Sequence, residues 1–216
     1  MEYFLKLVAL LAEGLQYTLG LFCVTILLSL PLGMLLMFGK RSRIAPLRWV
    51  IDVYVWLMRG TPLLLQLFFF YYGLAFIPVI GPYMTLDRLP AAMLTFVLNY
   101  AAYFCEIFRG GMLAIDRGQY EAAQVLGFSR FQTFRKITLP QMLRVCLPSI
   151  TNETITLVKD TALVTAIGVT EILYFAKTSV NRDVNATAYL VAAIFYLIMN
   201  YGLTFLFNRL EKKLKF

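Results

Sequence analysis

Long apolar runs separated by short polar segments dominate the sequence. Five of these runs are long enough to cross the hydrocarbon core of a bilayer, which takes about 20 residues of α-helix. They are residues 15–38, 62–80, 90–111, 147–170 and 186–207. The pattern predicts an all-α, polytopic membrane protein, with five transmembrane helices in a single transmembrane domain over residues 1–216.

Three shorter segments have a mixed pattern. Residues 2–13 carry apolar side chains at helical spacing with charges between them, which favours a separate amphipathic helix at the membrane interface. Residues 44–58 are partly amphipathic, and their tryptophan and tyrosine side chains suit the headgroup region. We expect residues 171–185 to form an exposed, partly helical connection between the last two spans.

The composition places the chain in the membrane class. Of its 216 residues, 60% are hydrophobic and 15% are charged, whereas soluble domains carry about 25% charged residues. The net charge of +8 would suggest nucleic acid in a soluble protein, but here it reflects topology and we expect no such partner. Basic clusters at residues 40–48, 130–136 and 209–215 follow the first, third and fifth spans. The positive-inside rule therefore places these segments and the C-terminus in the cytoplasm, and the N-terminus outside.

Groups that carry covalent chemistry are scarce. The chain has no histidine, which is the commonest general base and metal ligand. Cys23, Cys105 and Cys146 lie far apart in apolar surroundings and are interpreted as small hydrophobic residues. The segment Gly33–Lys40 is the nearest approach to a phosphate-binding loop, but its glycines are one residue too far apart. We expect no catalytic residue, metal or cofactor on this chain, and no cleaved signal peptide.

The segment Tyr120–Pro140 is too polar for hydrocarbon, yet it carries more large apolar side chains than a solvated loop needs. Residues after Glu121 favour a helix, Gly127 can close it with a positive φ, and Pro140 is expected to end a second short element. The apolar residues are Val125, Leu126, Phe128, Phe131 and Phe134, and the basic ones are Arg130, Arg135 and Lys136. Such a helix and turn is typical of a docking surface; an ordinary solvated loop is the alternative.

The spacing E-A-A-x3-G-x9-I-x-L-P is met at every position between Glu121 and Pro140. It resembles the cytoplasmic EAA loop of membrane subunits of ATP-binding-cassette (ABC) importers. The run Arg59–Leu63 and the polar run Asn152–Thr161 resemble the branch of that family that takes up polar amino acids. The resemblance covers most of the chain and implies the five-helix bundle of a type I ABC importer permease.

The resemblance also implies a coupling loop over residues 116–140. The residues it assigns to contact with an ATPase subunit are Tyr120, Glu121, Ala122, Ala123, Gly127, Phe128 and Arg130. For Glu121 the alternative is a favourable charge in the first turn of a helix. The implied partners are a second permease subunit (an identical copy or a sister chain), two ATPase subunits that hold ATP and Mg, an extracytoplasmic substrate-binding protein, an amino acid and membrane lipid.

The fourth span is unusually polar, with Glu153, Lys159 and Asp160 inside it. Each charge at the bilayer centre costs about 2.5–3.5 kcal/mol on insertion scales. Glu153 and Asp160 share one helix face, about 10 Å apart along the axis, with Thr156 between them. We predict that these three residues line a cavity for a zwitterion, which needs an acceptor for its ammonium and a donor for its carboxylate. The alternative is that Glu153 and Lys159 pair with other helices and fix the bundle.

The third span offers a second polar face, formed by Asn99, Tyr103 and Glu106. We predict Asn99 and Tyr103 as further substrate contacts. The alternatives are a helix–helix hydrogen bond, an interfacial tyrosine, and pairing of Glu106 with Arg109. Pro62 should break the helix at the start of the second span, in a region that belongs to the translocation path of the resembling family.

These observations predict the permease subunit of an ATP-driven importer for a polar amino acid, working by alternating access. A secondary transporter driven by an ion gradient is the alternative, since it would also carry charges at the midplane. Such a transporter has no use for a cytoplasmic docking helix. A membrane enzyme would need a cluster of nucleophile, base or metal ligands, and the sequence predicts none.

Overall fold

A computed structural model describes residues 2–78, 81 and 85–214, and contains no strand among them. The α-helices are α1 Glu2–Lys40, α2 Ala45–Gly60, α3 Leu63–Phe68, α4 Arg88–Leu113, α5 Arg117–Val125, α6 Arg130–Thr133, α7 Leu139–Asp160, α8 Ile172–Asp183 and α9 Thr187–Leu214. Two π-helical turns, Phe69–Gly73 and Phe134–Thr138, and two 3₁₀ segments, Leu74–Phe76 and Thr161–Ile167, extend α3, α6 and α7.

Three helices, Glu2–Lys40, Arg88–Leu113 and Thr187–Lys213, are long and apolar enough to span a membrane alone. Two bent pairs qualify when each is taken as one span. Ala45–Gly60 with Leu63–Phe76 is bent by 109°, and Arg130–Ile167 with Ile172–Asp183 by 54°. The prediction of an all-α membrane protein is confirmed, and the second and fourth predicted spans overlap these bent pairs.

Helix α4 lies at the centre of the bundle and packs against α1, α2, α3 and α7. Its buried aromatic residues Phe96, Tyr100 and Phe104 belong to the main hydrophobic core. Helix α1 crosses it closely at Gly33, where a Cβ would lie 2.7 Å from the Cβ of Phe104. A side chain at this position would push the helices apart, so the crossing requires glycine. The polar residues of α4 are thereby held at fixed positions inside the bundle.

The prediction of a separate interfacial helix over residues 2–13 is wrong. These residues continue into the first span as α1, which at 1.5 Å per residue is about 58 Å long. Leu7 and Leu11 are buried in a second core with residues of α8 and α9. At Gly14 a Cβ would lie 2.6 Å from the backbone nitrogen of Ile172. The apolar face expected to meet headgroups is therefore buried against protein.

The prediction of a partly helical connection over residues 171–185 is confirmed, but the expected exposure is wrong for the face of this helix that meets the bundle. Ile172–Asp183 forms α8, whose Ile172, Ala176 and Ser179 are buried. Glu171 is fully buried and accepts hydrogen bonds from the Tyr174 backbone N–H at 2.8 Å, the Tyr196 hydroxyl at 2.7 Å and the Thr165 hydroxyl. The carboxylate thus caps α8 and ties it to α9 and to the preceding 3₁₀ segment.

The second predicted span, residues 62–80, is shorter and less regular than expected. Helix α3 ends at Phe68, a π turn and a 3₁₀ turn continue to Phe76, and residues 79–80 lie outside the described part of the chain. The break predicted at Pro62 is confirmed, because α2 ends at Gly60 and α3 begins at Leu63.

The break predicted at Pro140 is wrong. The chain passes from α6 through the π turn Phe134–Thr138 into α7 without leaving helical geometry. The Leu139 backbone N–H donates to the Phe134 carbonyl, five residues back. Pro140 is the second residue of α7 and follows the π turn directly, a local widening of the helix that accommodates a residue without an N–H. The fourth predicted span, residues 147–170, accordingly lies in a longer helical segment that starts at α6.

Candidate functional site

A cavity of about 520 Å³ lies between α2, α4 and α7. Its polar lining comes from Arg59 of α2, from Tyr103, Glu106 and Arg109 of α4, and from Ser149 and Glu153 of α7. Ligand pockets for small molecules have volumes of about 300–1,000 Å³. The cavity thus has the size and the charged lining to hold a small polar solute.

Helix α7 divides its residues between two faces. Met142, Ile150 and Leu157 are buried in the bundle, while Glu153, Thr156 and Asp160 are only partly buried on the other face. The structure therefore places the predicted substrate residues of the fourth span on one accessible stripe. Glu153 lines the cavity, and Asp160 lies about 10 Å further along the helix axis.

The two carboxylates of this stripe differ in their partners. The Tyr100 hydroxyl donates a 2.8 Å hydrogen bond to Asp160 Oδ2, which ties Asp160 to α4. Within the described residues, Glu153 has neither a hydrogen bond nor an ion pair. The structural alternative, in which Glu153 pairs with another helix, is not what this geometry shows. The Glu153 carboxylate keeps its acceptor capacity for a solute.

Glu106 has used its acceptor capacity. Lys40 lies 2.6 Å from Oε1, and Arg109 donates to Oε2 from Nε at 2.9 Å and from Nη2 at 2.7 Å. Lys40 also pairs with Asp52 at 2.9 Å. The pairing of Glu106 with Arg109, which the sequence offered as the alternative to a polar substrate face, is present in the structure. The additional pairs to Lys40 and Asp52 link the end of α1, α2 and α4 on one side of the cavity.

Asn99 is 4% exposed and lies behind the cavity wall, at the corner between α2 and α3. In an unbroken helix the Met58 carbonyl would accept from the N–H of residue 62, but residue 62 is proline. The side-chain amides of Asn99 and Gln66 replace that donor, at 3.0 and 2.9 Å. We call these two side chains the corner clamp.

The corner clamp is internally bonded as well. The second hydrogen of the Asn99 amide goes to Gln66 Oε1 at 3.0 Å. Gln66 Nε2 also lies 2.8 Å from the Thr61 hydroxyl and 3.1 Å from the Thr61 carbonyl, so its two hydrogens are shared among three acceptors. Both hydrogens of the Asn99 amide are thus used within the protein, which favours a helix–helix role for this residue over the predicted substrate contact. Tyr103, the other predicted contact on α4, does line the cavity.

Sequence reasoning did not assign roles to Arg59 and Gln66. Arg59 lines the cavity, with its guanidinium carbon 5.2 Å from the centroid of the Tyr103 ring. A charge directly before a predicted helix break was the available signal for Arg59. For Gln66 the signal was a lone amide in an apolar run, because such a group needs a partner inside a membrane bundle.

The predicted docking segment is a short helix, a glycine turn and a second helix start. Asp116 caps α5 by accepting from the Gly118 N–H at 2.7 Å. The helix closes with Gly127 at φ +74°, whose N–H donates to the Gln124 carbonyl, while the Phe128 N–H donates to the Ala123 carbonyl. This pair of bonds is a Schellman motif, which needs a residue with positive φ.

The predicted coupling residues differ in their exposure. Glu121, Ala122, Gly127 and Arg130 are exposed and Tyr120 and Phe128 are partly buried, whereas Ala123 is 1% exposed and holds α5 on the bundle. The tip of the segment is apolar and solvent-facing, with Val125 87% and Leu126 70% exposed. Exposed apolar groups at a helix end are typical of a surface that binds another protein.

A helical bundle with membrane-length apolar helices, an open cavity lined by charges and an exposed apolar helix end is typical of the membrane component of a transporter. Residues 29–216 match the model of the family described as binding-protein-dependent transport system inner membrane component, and the chain belongs to this family. The resemblance read from the EAA spacing is confirmed. The chain is a multi-pass permease component of an ABC importer, which disfavours the ion-gradient alternative.

Three similar proteins refine the comparison. The chain is 35% identical over 207 residues to the L-cystine transport system permease protein TcyB of Bacillus subtilis (strain 168), which covers 95% of this chain and 86% of that protein. It is 38% identical over 204 residues to the arginine transport system permease protein ArtQ of the same organism, covering 94% and 91%. A crystal structure of an amino acid ABC transporter with histidines matches with a TM-score of 0.87 at 30% identity, over 97% of this chain and 96% of that chain.

Proposed function

We propose that this chain forms the pathway by which a polar amino acid enters the cell through an ATP-driven importer. The observation that carries the proposal is the cavity in which the Glu153 carboxylate, without a protein partner among the described residues, faces the Arg59 guanidinium. A buried unpaired charge is costly, so this arrangement suits a solute that brings its own charges. The names of the relatives, permeases for cystine and for arginine, support the same class.

Substrate movement would follow the accessible stripe of α7. Glu153 accepts from an ammonium in the cavity, Thr156 offers a hydroxyl one turn further, and Asp160 provides a second carboxylate. The separation of the two carboxylates, about 10 Å along the axis, is comparable to the length of one extended amino acid. A cationic group can therefore stay close to one of the two carboxylates as the solute advances.

Energy would come from outside this chain. A pathway that opens alternately to two sides needs a second bundle to enclose it, so we propose a dimer with an identical copy or a sister permease. Two ATPase subunits holding ATP and Mg would dock on Val125, Leu126 and the exposed EAA residues, and their closure would rotate the bundles. An extracytoplasmic binding protein would deliver the solute, with the docking segment and the C-terminus in the cytoplasm.

Reconstitution tests this proposal. The permease is placed in liposomes with its ATPase and binding protein, and uptake of labelled polar amino acids is followed with and without ATP. We expect uptake that stops when ATP is omitted or when the ATPase lacks its catalytic glutamate. Uptake driven by a proton or sodium gradient in the absence of the ATPase would contradict the proposal, as would chemical turnover of the solute by the purified chain.

A further inference from the structure

The proposed function requires a donor for the substrate carboxylate, and the cations on the cavity wall are the candidates. Lys159, the cation of the fourth span, is exposed and outside the cavity lining. Two arginines line the cavity, Arg59 on α2 and Arg109 on α4. Both arginines line the same cavity, but they differ in the contacts that they already make within the protein.

Arg109 has an acceptor within the protein. Its Nε and Nη2 both donate to Glu106 Oε2, three residues back on the same helix, at 2.9 and 2.7 Å. Lys40 completes the neutralisation of Glu106 at 2.6 Å. A solute that bound the Nε–Nη2 edge of Arg109 would have to break these charge-assisted bonds, which are about twice as strong as neutral ones.

Arg59 keeps its donors available. It reaches Glu106 only at 4.0 Å, where Lys40 and Arg109 already supply the short contacts, and its side chain is 43% exposed. No hydrogen bond engages Arg59 in the part of the chain that the structure describes. The Tyr103 ring, 5.2 Å from the guanidinium carbon, supports the side chain by a cation–π contact that leaves the N–H groups free.

Two features fix where this guanidinium lies. The corner clamp bonds the carbonyl of Met58, the residue directly before Arg59, at 2.9 and 3.0 Å. The ring of Tyr103 comes from α4, the central helix of the bundle. The free donors of Arg59 therefore belong to an oriented side chain and face the same cavity as Glu153 on α7.

We propose that Arg59 binds the carboxylate of the amino-acid substrate, while Glu153 on the opposite wall binds a cationic group of the same molecule. The planar guanidinium presents paired N–H groups that match a carboxylate in a bidentate geometry. Arg59 then acts as a specificity residue that separates amino acids from amines of the same size. The inference rests on the proposed function and adds to it the residue that binds the substrate carboxylate.

The test measures equilibrium binding to the purified permease–ATPase complex without the binding protein, so that the binding protein's own selectivity does not enter. The probes are L-arginine, L-histidine, L-glutamine and L-cystine, and then the α-carboxamide of whichever of them binds wild type most tightly. The carboxamide keeps the ammonium and the side chain but lacks the negative charge. The variants are Arg59→Gln and Arg59→Lys, with Arg48→Gln as a control for loss of an exposed cation from the same helix.

We expect wild type and Arg48→Gln to prefer the amino acid over its carboxamide by about ten- to a hundredfold, the range for one charge-assisted contact. Arg59→Gln should abolish this preference by weakening amino-acid binding alone, and Arg59→Lys should retain part of it. An unchanged preference in Arg59→Gln would overturn the inference, and so would equal weakening of both ligands. Failure of wild type to bind any of the four amino acids would instead contradict the proposed function itself.

Discussion

Replacing Asn99 with leucine should destabilise the permease and weaken substrate binding together. The substitution keeps the approximate volume but removes the two bonds that the Asn99 amide donates, to the Met58 carbonyl and to Gln66 Oε1. Both acceptors lie at the corner where α2 and α3 meet at 109°. The change therefore loosens the segment that positions Arg59.

The size of the effect follows from what each acceptor retains. The Met58 carbonyl keeps its bond from Gln66 at 2.9 Å, whereas Gln66 Oε1 loses the Asn99 donor, and a buried unpaired acceptor costs about 1–3 kcal/mol. Interhelical hydrogen bonds in membranes average about 0.6 kcal/mol, because unfolded segments find other partners. The Asn99 amide donates two bonds of this kind, so its removal costs more than this average. We expect a loss of about 1–3 kcal/mol.

The assay is thermal unfolding of the purified complex in detergent, with amino-acid binding measured on the same sample. For a chain of this length the loss corresponds to a decrease in Tm of about 2–12 °C. Asn181→Leu, the same substitution at an exposed position of α8, is the control and should leave Tm unchanged. If Asn99→Leu unfolds at the temperature of the control, the corner clamp does not hold the α2–α3 corner.

Three further variants test other parts of the molecule. Glu153→Gln should reduce uptake about ten- to a hundredfold at unchanged Tm, because no protein partner among the described residues is lost; a parallel loss of Tm and dimer yield would indicate a structural role. Val125→Asp should prevent co-purification of the ATPase, while Val184→Asp, at another highly exposed valine, should not; retention of the ATPase would exclude Val125 from the interface. Gly33→Val should lower Tm or abolish folding because a Cβ there collides with α4, whereas Gly20→Val has open space; equal stability of the two variants would contradict the close crossing.

The sequence was sufficient for the class of protein and for its helical character, although the bounds of several spans differ from the predicted ones. Inside a bilayer every backbone polar group must be bonded within the segment, so long apolar runs have little choice but to form helices. The predicted break at Pro62 has an equally local cause, the missing N–H. The docking segment was recognisable because a positive φ at Gly127 and the EAA spacing are both properties of a short stretch of chain.

Predictions from the local sequence pattern were wrong where the apolar face of a helix could contact either lipid or protein. The apolar side of residues 2–13 fits a lipid headgroup region and a protein surface equally well, and only the contacts with α8 and α9 decide for protein. Exposure was predicted for residues 171–185 because their mixed polar and apolar pattern does not show that one helix face packs against the bundle. The helix break predicted at Pro140 was wrong because a π turn connects α6 to α7, and no sequence pattern predicts such a turn.

The roles of the polar residues were decided only by the tertiary structure. Periodicity put Asn99 and Tyr103 on one face of α4, but the 109° corner turns Gln66 and the Met58 carbonyl toward Asn99 and leaves Tyr103 in the cavity. Glu106 is neutralised by Lys40, 66 residues away in the sequence. Which charges are already paired, and which remain for a solute, depends on such distant contacts. The sequence therefore determined that charges are present in the membrane. The packing of the helices determined that, among the charged residues described at the cavity, Arg59 and Glu153 make no short contact within the protein.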